Sequence, residues 1–319
     1  MKVNILLSTY NGETYLSEQI ESIQAQTFTD WQLLIRDDGS SDGTVDLIKH
    51  FVKSDHRIRF INEDNIVNYG VVKSFYHLVK FEKADYYFFS DQDDVWLPQK
   101  MAQTLEKAME FPKQTPLMIY TDLSVVNEQL DVINNRMIQS KGNSPVTEVR
   151  ELLCHNSATG GTSMVNHALT SAWHEHSDII MHDWYLALAA SALGKLVFLE
   201  EVTELYRQHD NNVLGASIDS DSLSSKIYHL SNRMTEYDKK LVDYIKQATC
   251  FYSDNERLLT EVDRECIDCF CRLPYMTIWQ RLKAIKKFGY KKNNPLTTLM
   301  LRLAILRIDS IKREDTHEG

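Results

Sequence analysis

Residues 86–98 read YYFFSDQDDVWLP: four consecutive aromatics, Tyr86 to Phe89, run almost directly into three carboxylates, Asp91, Asp93 and Asp94. An apolar aromatic run of this length reads as a buried strand. Three close carboxylates repel one another, and burying even one without a counter-charge is expensive. The stretch therefore describes a strand that delivers acids to a crevice where something positive belongs. Asp-x-Asp at a strand end suits a divalent cation, Mg²⁺ or Mn²⁺, bridging two phosphates, because hard oxygen ligands match hard cations. The bland alternative is a solvated loop or a helix N-terminus, where acids are favoured anyway.

The neighbouring sequence supplies the rest of the sheet. Over the first 120 residues short apolar runs alternate with helical patterns, which predicts a mostly parallel, doubly wound α/β sheet. Strands are expected at VNILLS (3–8), WQLLI (31–35), IRFI (58–61), YYFFS (86–90) and LMIYT (117–121), with helices near 14–26, 43–53, 70–81 and 98–110. Asp42-Gly43-Thr44 and Pro98 serve as helix-start signals. Ligands of such sheets bind beyond the carboxyl ends of the strands. Three polar clusters fall there: Ser8-Thr9-Tyr10-Asn11-Gly12, Asp37-Asp38-Gly39-Ser40 and Asp91-Gln92-Asp93-Asp94. Beyond residue 122 the alternation weakens. NEQLDVINN reads as a turn between strands, TGGTSMVN as a short strand, HDWYLALAASALG as a helix ending at Gly194, and LVFLEEVTELYRQH as two more short strands. From about 221 the pattern is helical, which divides the chain into residues 1–215 and a helical C-terminal extension, 216–319.

Composition sets limits. The 319 residues are 43% hydrophobic and 25% charged, ordinary for a globular protein, and no stretch approaches the roughly 20 apolar residues of a transmembrane helix. The opening MKVNILLSTYNG is too short for a secretory signal and reads as the first strand. Five cysteines, an odd number, suggest reduced thiols and a cytoplasmic home. The net charge of −10 hides an asymmetry: residues 272–313 hold eleven Lys or Arg against one acid, Asp309, leaving 24 basic and 44 acidic residues elsewhere. An acidic main body argues against nucleic-acid binding.

STYNGE, LLIRDDGSSDGT, SDQDDVWLP, ATGGTSM and MHDW, in this order over about residues 1–215, resemble the family 2 glycosyltransferases of the GT-A fold. The resemblance implies that Tyr10 flanks the base of a sugar-nucleotide donor, Asp38 hydrogen-bonds that base, Asp91 contacts the ribose, and Asp93 holds a divalent cation (Mn or Mg) on the diphosphate. An aromatic face and a carboxylate do suit a pyrimidine and its N–H. Ser8, Asn11, Glu13 and Gln92 belong to the same donor-binding loops, Lys73 is placed to reach the phosphates, and His209 matches a further metal ligand. The bland readings are packing for Tyr10 and an exposed side chain for Lys73 or His209. Asp183 falls where the family places its catalytic base, although His182 replaces the first acid of the usual pair. Its bland reading is a helix N-cap. HDWYLALAA and YRQHDNNVLGA are similar to bacterial rhamnosyltransferases of cell-wall polysaccharides, which implies dTDP-L-rhamnose as donor and a lipid-linked saccharide as acceptor.

Two elements lie outside that resemblance. Cys266-x-x-Cys269-x-Cys271 offers one zinc knuckle where structural sites pair two, so buried thiols are the better reading. TIWQRLKAIKKFGYKK joins Trp279, Phe288 and Tyr290 to a Lys/Arg face, as helices on anionic membranes do. This predicts a peripheral enzyme at the inner face of the cell membrane, with an oligomerisation helix, as in a homodimer, as the alternative. The rival functions are a transfer from another donor such as a UDP-sugar, a sugar nucleotidyltransferase, and a non-catalytic saccharide-binding protein. A nucleotidyltransferase would want a basic, Gly-rich first loop, and STYNGE carries no base. The intact Asp91, Asp93 and Asp183 argue against the last.

Overall fold

The computed structural model describes residues 1–140, 143–209 and 223–308, with side chains from 234 onward in the last segment. Its first half follows the expected alternation: β1 (Val3–Thr9), α1 (Leu16–Gln24), β2 (Gln32–Asp37), α2 (Thr44–Ser54), β3 (Ile58–Phe60), α3 (Val71–Phe81), β4 (Tyr86–Ser90), β5 (Val95–Trp96) and α4 (Lys100–Ala108). Pro98 lies two residues ahead of α4 and not in its first turn. Successive side chains of a strand point to opposite faces, and both faces are covered. Val3, Ile5, Leu7, Tyr86 and Phe88 pack against Leu16, Ile20, Ile48, Met101 and Leu105 of α1, α2 and α4. Leu6, Tyr87 and Phe89 face the other way, onto Phe75 and Leu78 of α3. That two-sided burial is why these strands read as continuous apolar runs.

The second half adds β6 (Leu117–Val126), β7 (Val132–Asn134), α5 (Val149–Leu152), β8 (Ser163–Asn166), α6 (His167–Thr170), α7 (His182–Leu193) and β9 (Lys195–Arg207). Strand order is β3-β2-β1-β4-β8-β6-β9-β5, with β7 paired to β6. β1 runs parallel to both β2 and β4, and β8 is antiparallel to β4 and β6. The chain reverses its direction of travel across the sheet at β1 and β4, so the crevice expected at a switch point opens beyond their carboxyl ends. The two short strands expected over 195–207 are one. Its pairing with β6 jumps from Thr121↔Leu199 to Asp122↔Val202, so Glu200 and Glu201 bulge out, both exposed, without ending the strand. Its far end continues into the ladder with β5.

The C-terminal helices are α8 (Leu223–Asn255), α9 (Glu261–Cys271), α10 (Ile278–Phe288) and α11 (Pro295–Arg307). Leu241, Tyr244, Phe251, Ile267, Phe270, Tyr290, Leu301 and Ile305 share one core with Tyr185, Leu186 and Leu188 of α7. The boundary expected near 216, residues 210–216 of YRQHDNNVLGA and residues 309–313 of the basic tail lie outside the described residues. The expected aromatic face of the tail is reduced: Trp279 is 73% exposed, but Phe288 is half-buried and Tyr290 is fully buried, its hydroxyl donating to the Cys266 carbonyl. Part of the tail's charge answers acids of the same chain, with Lys291 on Glu151 (2.6 Å), Arg307 on Asp238 (2.6 Å) and Lys287 on Glu265. All five cysteines are free thiols, and burial raises Cys266 to about 12 and Cys271 to about 11.

Candidate active site

The three strand-end loops are tied to one another by their own side chains. Asn11 sits at φ 48°, a left-handed conformation that Asn tolerates, and this turns its amide oxygen onto the Ser41 N–H at 2.8 Å. Glu13 accepts from Gly43 N (2.9 Å) at the start of α2. Gln92 clasps the first loop at two points, accepting from Tyr10 N (2.8 Å) and donating to Tyr10 O (3.0 Å). A Cβ on Gly12 would lie 2.4 Å from the Gln92 amide oxygen, which is why glycine stands there. Asn11, Glu13 and Gln92 thus spend their polar groups on holding the loops, while the Tyr10 ring stays 52% exposed. Ser8 is half-buried on β1, in register with Arg36.

Asp38 is deeper than the loop reading suggests, at 4% exposure. Its Oδ1 accepts from Arg36 Nη1 (2.6 Å), Tyr69 N (2.7 Å) and Ser74 Oγ (2.9 Å), and its Oδ2 from Gly70 N (2.8 Å). Contact with a nucleobase is confined to the remaining capacity of Oδ2. The Arg36 guanidinium also lies 4.6 Å from the centroid of the exposed Tyr69 ring.

The acid cluster occupies the end of β4. Burial raises the Asp91 carboxyl above the usual range, helped by repulsion from Asp93, Glu204 and Asp183; burial raises Asp94 likewise, with Glu204 as its main repelling neighbour. Two buried cations oppose this. Lys100 Nζ bonds Glu204 Oε2 at 2.5 Å. Arg207 donates from its backbone to Asp94 Oδ1 (3.0 Å) and from Nε to Asp93 O (2.9 Å), and pairs with Glu18. Asp93 Oδ2 lies 2.9 Å from His209 Nε2, so two ligand types that one cation accepts converge on one point. Among the described residues no third His, Cys, Asp or Glu joins them in a cluster able to hold a metal. That pair would offer a Mg²⁺ or Mn²⁺ ion one carboxylate and one imidazole, leaving its other positions to groups from outside the chain.

Across the crevice stands Asp183. It is the second residue of α7, inside the first turn; the capping position belongs to Met181. Burial pushes its carboxyl up to about 7, against the N–H groups of Trp184 and Gly160, which favour the charged form. Asn156 Nδ2 adds a contact at 3.3 Å. Asp183 is also one of the charges that raise Asp91, so it and the acid cluster sense each other. Next to it, His182 is 2% exposed, lies 4.2 Å from the Phe75 ring centroid, and is held neutral by burial, down to about 3. Lys73 is not in the acid cluster: its ammonium is on Glu175 at 2.8 Å, in the segment leading to α7. Sequence reasoning missed Arg36, Lys100, Asn156, Glu204 and Arg207. Arg36, inside LLIRDDGSSDGT, and Arg207, two residues before His209 in YRQH, stood in or beside motifs already singled out.

Residues 4–141 match the family described as Glycosyl transferase family 2. The chain is 27% identical over 257 residues to dTDP-rhamnosyl transferase RfbG of Shigella flexneri, covering 76% of this chain and 84% of that protein. It is 28% identical over 163 residues to UDP-Glc:alpha-D-GlcNAc-diphosphoundecaprenol beta-1,3-glucosyltransferase WfgD of Escherichia coli, covering 51% and 59% respectively. Among solved structures, TarS 1–349 of S. aureus in complex with UDP-GlcNAc superposes with a TM-score of 0.51 at 14% identity, over 99% of this chain and 92% of that one. Mannosyltransferase PcManGT of Pyrobaculum calidifontis, in complex with GDP-Man and Mn²⁺, gives 0.52 at 12% identity, over 99% and 83%. At such identities the structural likeness speaks for the fold alone.

Proposed function

We propose that this family 2 glycosyltransferase of the GT-A fold, a polysaccharide-synthesis enzyme, moves L-rhamnose from dTDP-L-rhamnose to a hydroxyl of a lipid-linked saccharide in one inverting displacement. The observation that carries the transfer reading is Asp183: a half-buried carboxylate with a pKa of about 7, across the crevice from the β4 acids. A general base works best with a pKa near the operating pH. Asp183 takes the proton of the acceptor hydroxyl as that oxygen attacks the anomeric carbon, and the neutral His182 beside it offers no competing charge. Tyr10 presents its exposed ring to the base, Asp38 the base-facing edge of Oδ2, and Asp91 the ribose contact, with Ser8, Asn11, Glu13 and Gln92 shaping the loops and Lys73 reaching the diphosphate once it leaves Glu175. Asp93 and His209 hold the divalent cation. When bound, that cation supplies charge stabilisation to the departing diphosphate.

The rhamnosyl donor is supported by extent of likeness: the similarity to the dTDP-rhamnosyl transferase runs over 76% of the chain, well past the family match, against 51% for the UDP-glucosyltransferase. A panel of sugar nucleotides tests it. dTDP-L-rhamnose should turn over and dTDP should compete; productive UDP-sugar binding with no response to dTDP-L-rhamnose would replace the donor and leave the fold reading intact.

The proposed partners follow from the tail. Ile278, Trp279 and Leu282 of α10 and Leu296, Leu299 and Leu303 of α11 form exposed apolar stripes beside exposed Lys283 and Lys286. Residues 272–308 carry nine Lys or Arg and no acid. That combination suits an anionic bilayer, and a lipid-linked acceptor gives it a purpose. Among the described residues no helix is long and apolar enough to cross a membrane. The proposed location is therefore the cytoplasmic surface of the cell membrane. Within the fold, residues 1–215 act as the catalytic unit and 216–319 as the attached helical unit.

A further inference from the structure

Lys100 is an unusual side chain to find at 1% exposure. It opens α4, its Nζ lies 4.1 Å from the Trp96 ring centroid, and it bonds Glu204 Oε2 of β9, itself 1% exposed. Burying such a pair costs desolvation that its mutual attraction seldom exceeds, so stability alone gives no reason for it. The third contact does. Lys100 Nζ also donates to the carbonyl of Gly161.

Gly160 and Gly161 have no room on either side. A Cβ on Gly161 would lie 2.6 Å from Glu204 Oε1, and one on Gly160 would lie 3.0 Å from His182 Nε2. One glycine is flush against the Lys100–Glu204 pair and the other against the first residue of α7. The Gly160 N–H faces the Asp183 carboxylate and favours its charged form, and Gly160 is packed against His182, the residue before Asp183. A continuous path of bonds and close contacts therefore runs from the buried ion pair, through two residues of backbone, to the proposed base.

We infer that Lys100, with Glu204, is a positioning residue for the base: the pair fixes the Gly160–Gly161 backbone, and Gly160, packed against His182, sets the start of α7 so that the Asp183 carboxylate keeps the orientation that transfer requires. Neither side chain touches substrate. The inference rests on the reading of Asp183 as the base.

The test uses the full chain, the sugar nucleotide selected by the donor panel and Mn²⁺, with water as acceptor and nucleoside diphosphate release as readout. Lys100→Met alone strands Glu204, so the double variant Lys100→Met/Glu204→Gln is made, together with the gentler Gly161→Ala. Each should lower kcat by about 10-fold or more, the scale expected when a catalytic group is displaced by a fraction of an ångström to an ångström. Donor KM should stay within about twofold of wild type, because uniform binding is untouched. In an Asp183→Asn background, Gly161→Ala should change the residual rate by less than about twofold, since there is no base left to position. A loss that multiplies through the Asn background, a rise in KM matching the fall in kcat, or full activity in Gly161→Ala would overturn the inference while the base reading stands. An Asp183→Asn enzyme at wild-type rate would remove both.

Discussion

Asp183→Asn separates activity from stability in a way that the surroundings of Asp183 make quantitative. The carboxyl is raised from 3.8 to about 7 by burial. Only the charged form accepts a proton, so wild-type kcat/KM should climb tenfold per pH unit below 7 and level off above it, standing at about one-tenth of its plateau at pH 6. Stability runs the other way. A folded-state pKa above the unfolded value means that the fold favours the protonated form: its contribution is complete below pH 3.8 and is lost as pH rises through about 7. A shift of that size corresponds to at most about 4 kcal/mol. Asn keeps the size and an acceptor oxygen for the Gly160 N–H but never ionises. The variant should therefore lose about 10²-fold in transfer, match wild type in denaturant midpoint near pH 4, and exceed it near pH 8. Nucleoside diphosphate release and urea unfolding at both pH values read the two effects on one preparation. If Asp183 merely stabilises the first turn of α7, Asn serves about as well, the rate survives and no stability gap opens with pH. Transfer that is flat from pH 5.5 to 8 in wild type would equally refute the reasoning.

Further outcomes follow from the same geometry. Chelation should stop transfer, Mn²⁺ or Mg²⁺ should restore it, and Asp93→Asn should weaken donor binding along with turnover because it removes one of the two side-chain ligands; full activity in excess chelator would sink this. Trp279→Ser with Leu282→Ser should abolish sedimentation of the full chain with anionic vesicles without lowering its melting temperature, and wild-type binding should fall with salt, screened over about 10 Å at 0.1 M; a dimer that the same changes dissociate, with no vesicle binding at the start, would favour a second copy as the partner. A chain ending at residue 274 should be markedly less stable than the full one, since it removes Tyr290, Leu301 and Ile305 from the shared core, each worth about 1.5–3 kcal/mol. An unchanged urea midpoint would show the tail to be separable.

Where the sequence was legible, a local pattern decided the structure. β1 and β4 fall within a residue of expectation because VNILLS and YYFFS are short continuous apolar runs bounded by polar clusters, which suits strands buried on both faces. Their polar ends then had to meet on one edge, and they do. The contacts that organise that edge were not legible, because they join residues far apart in sequence through groups with no distinctive pattern. Gln92 binds a backbone 82 residues away, and Lys100 meets a carboxylate 104 residues away. β9 was misread because Glu200-Glu201 looks like a break, whereas in a bulge two charged residues leave the sheet without ending it. In the tail the helices were legible but their faces were not: on α11 Leu296, Leu299 and Leu303 face outward while Met300, Leu301, Ala304 and Ile305 are inside. Periodicity finds stripes and does not say which stripe is covered.

The polar residues at the strand ends are largely committed to one another, and this bears on how a donor is held. Asn11, Glu13 and Gln92 each bond a neighbouring loop, and Asp37 accepts from Thr9, Gly39 and Ser40. These loops are ordered before any ligand arrives, so donor binding escapes most of the entropy that fixing loose loops would cost. The same commitment leaves few side chains to make direct contact. What faces the crevice is an exposed tyrosine ring and a group of acids whose charge two buried cations, Lys100 and Arg207, offset only in part. Acids repel a diphosphate. Asp93 and His209 would offer a cation two ligands, with no third His, Cys, Asp or Glu clustered beside them among the described residues, so phosphate oxygens and water would have to complete its coordination. On the proposed reading these two residues would hold the donor through a cation, and the affinity of the site for nucleotide and for metal would be one coupled quantity.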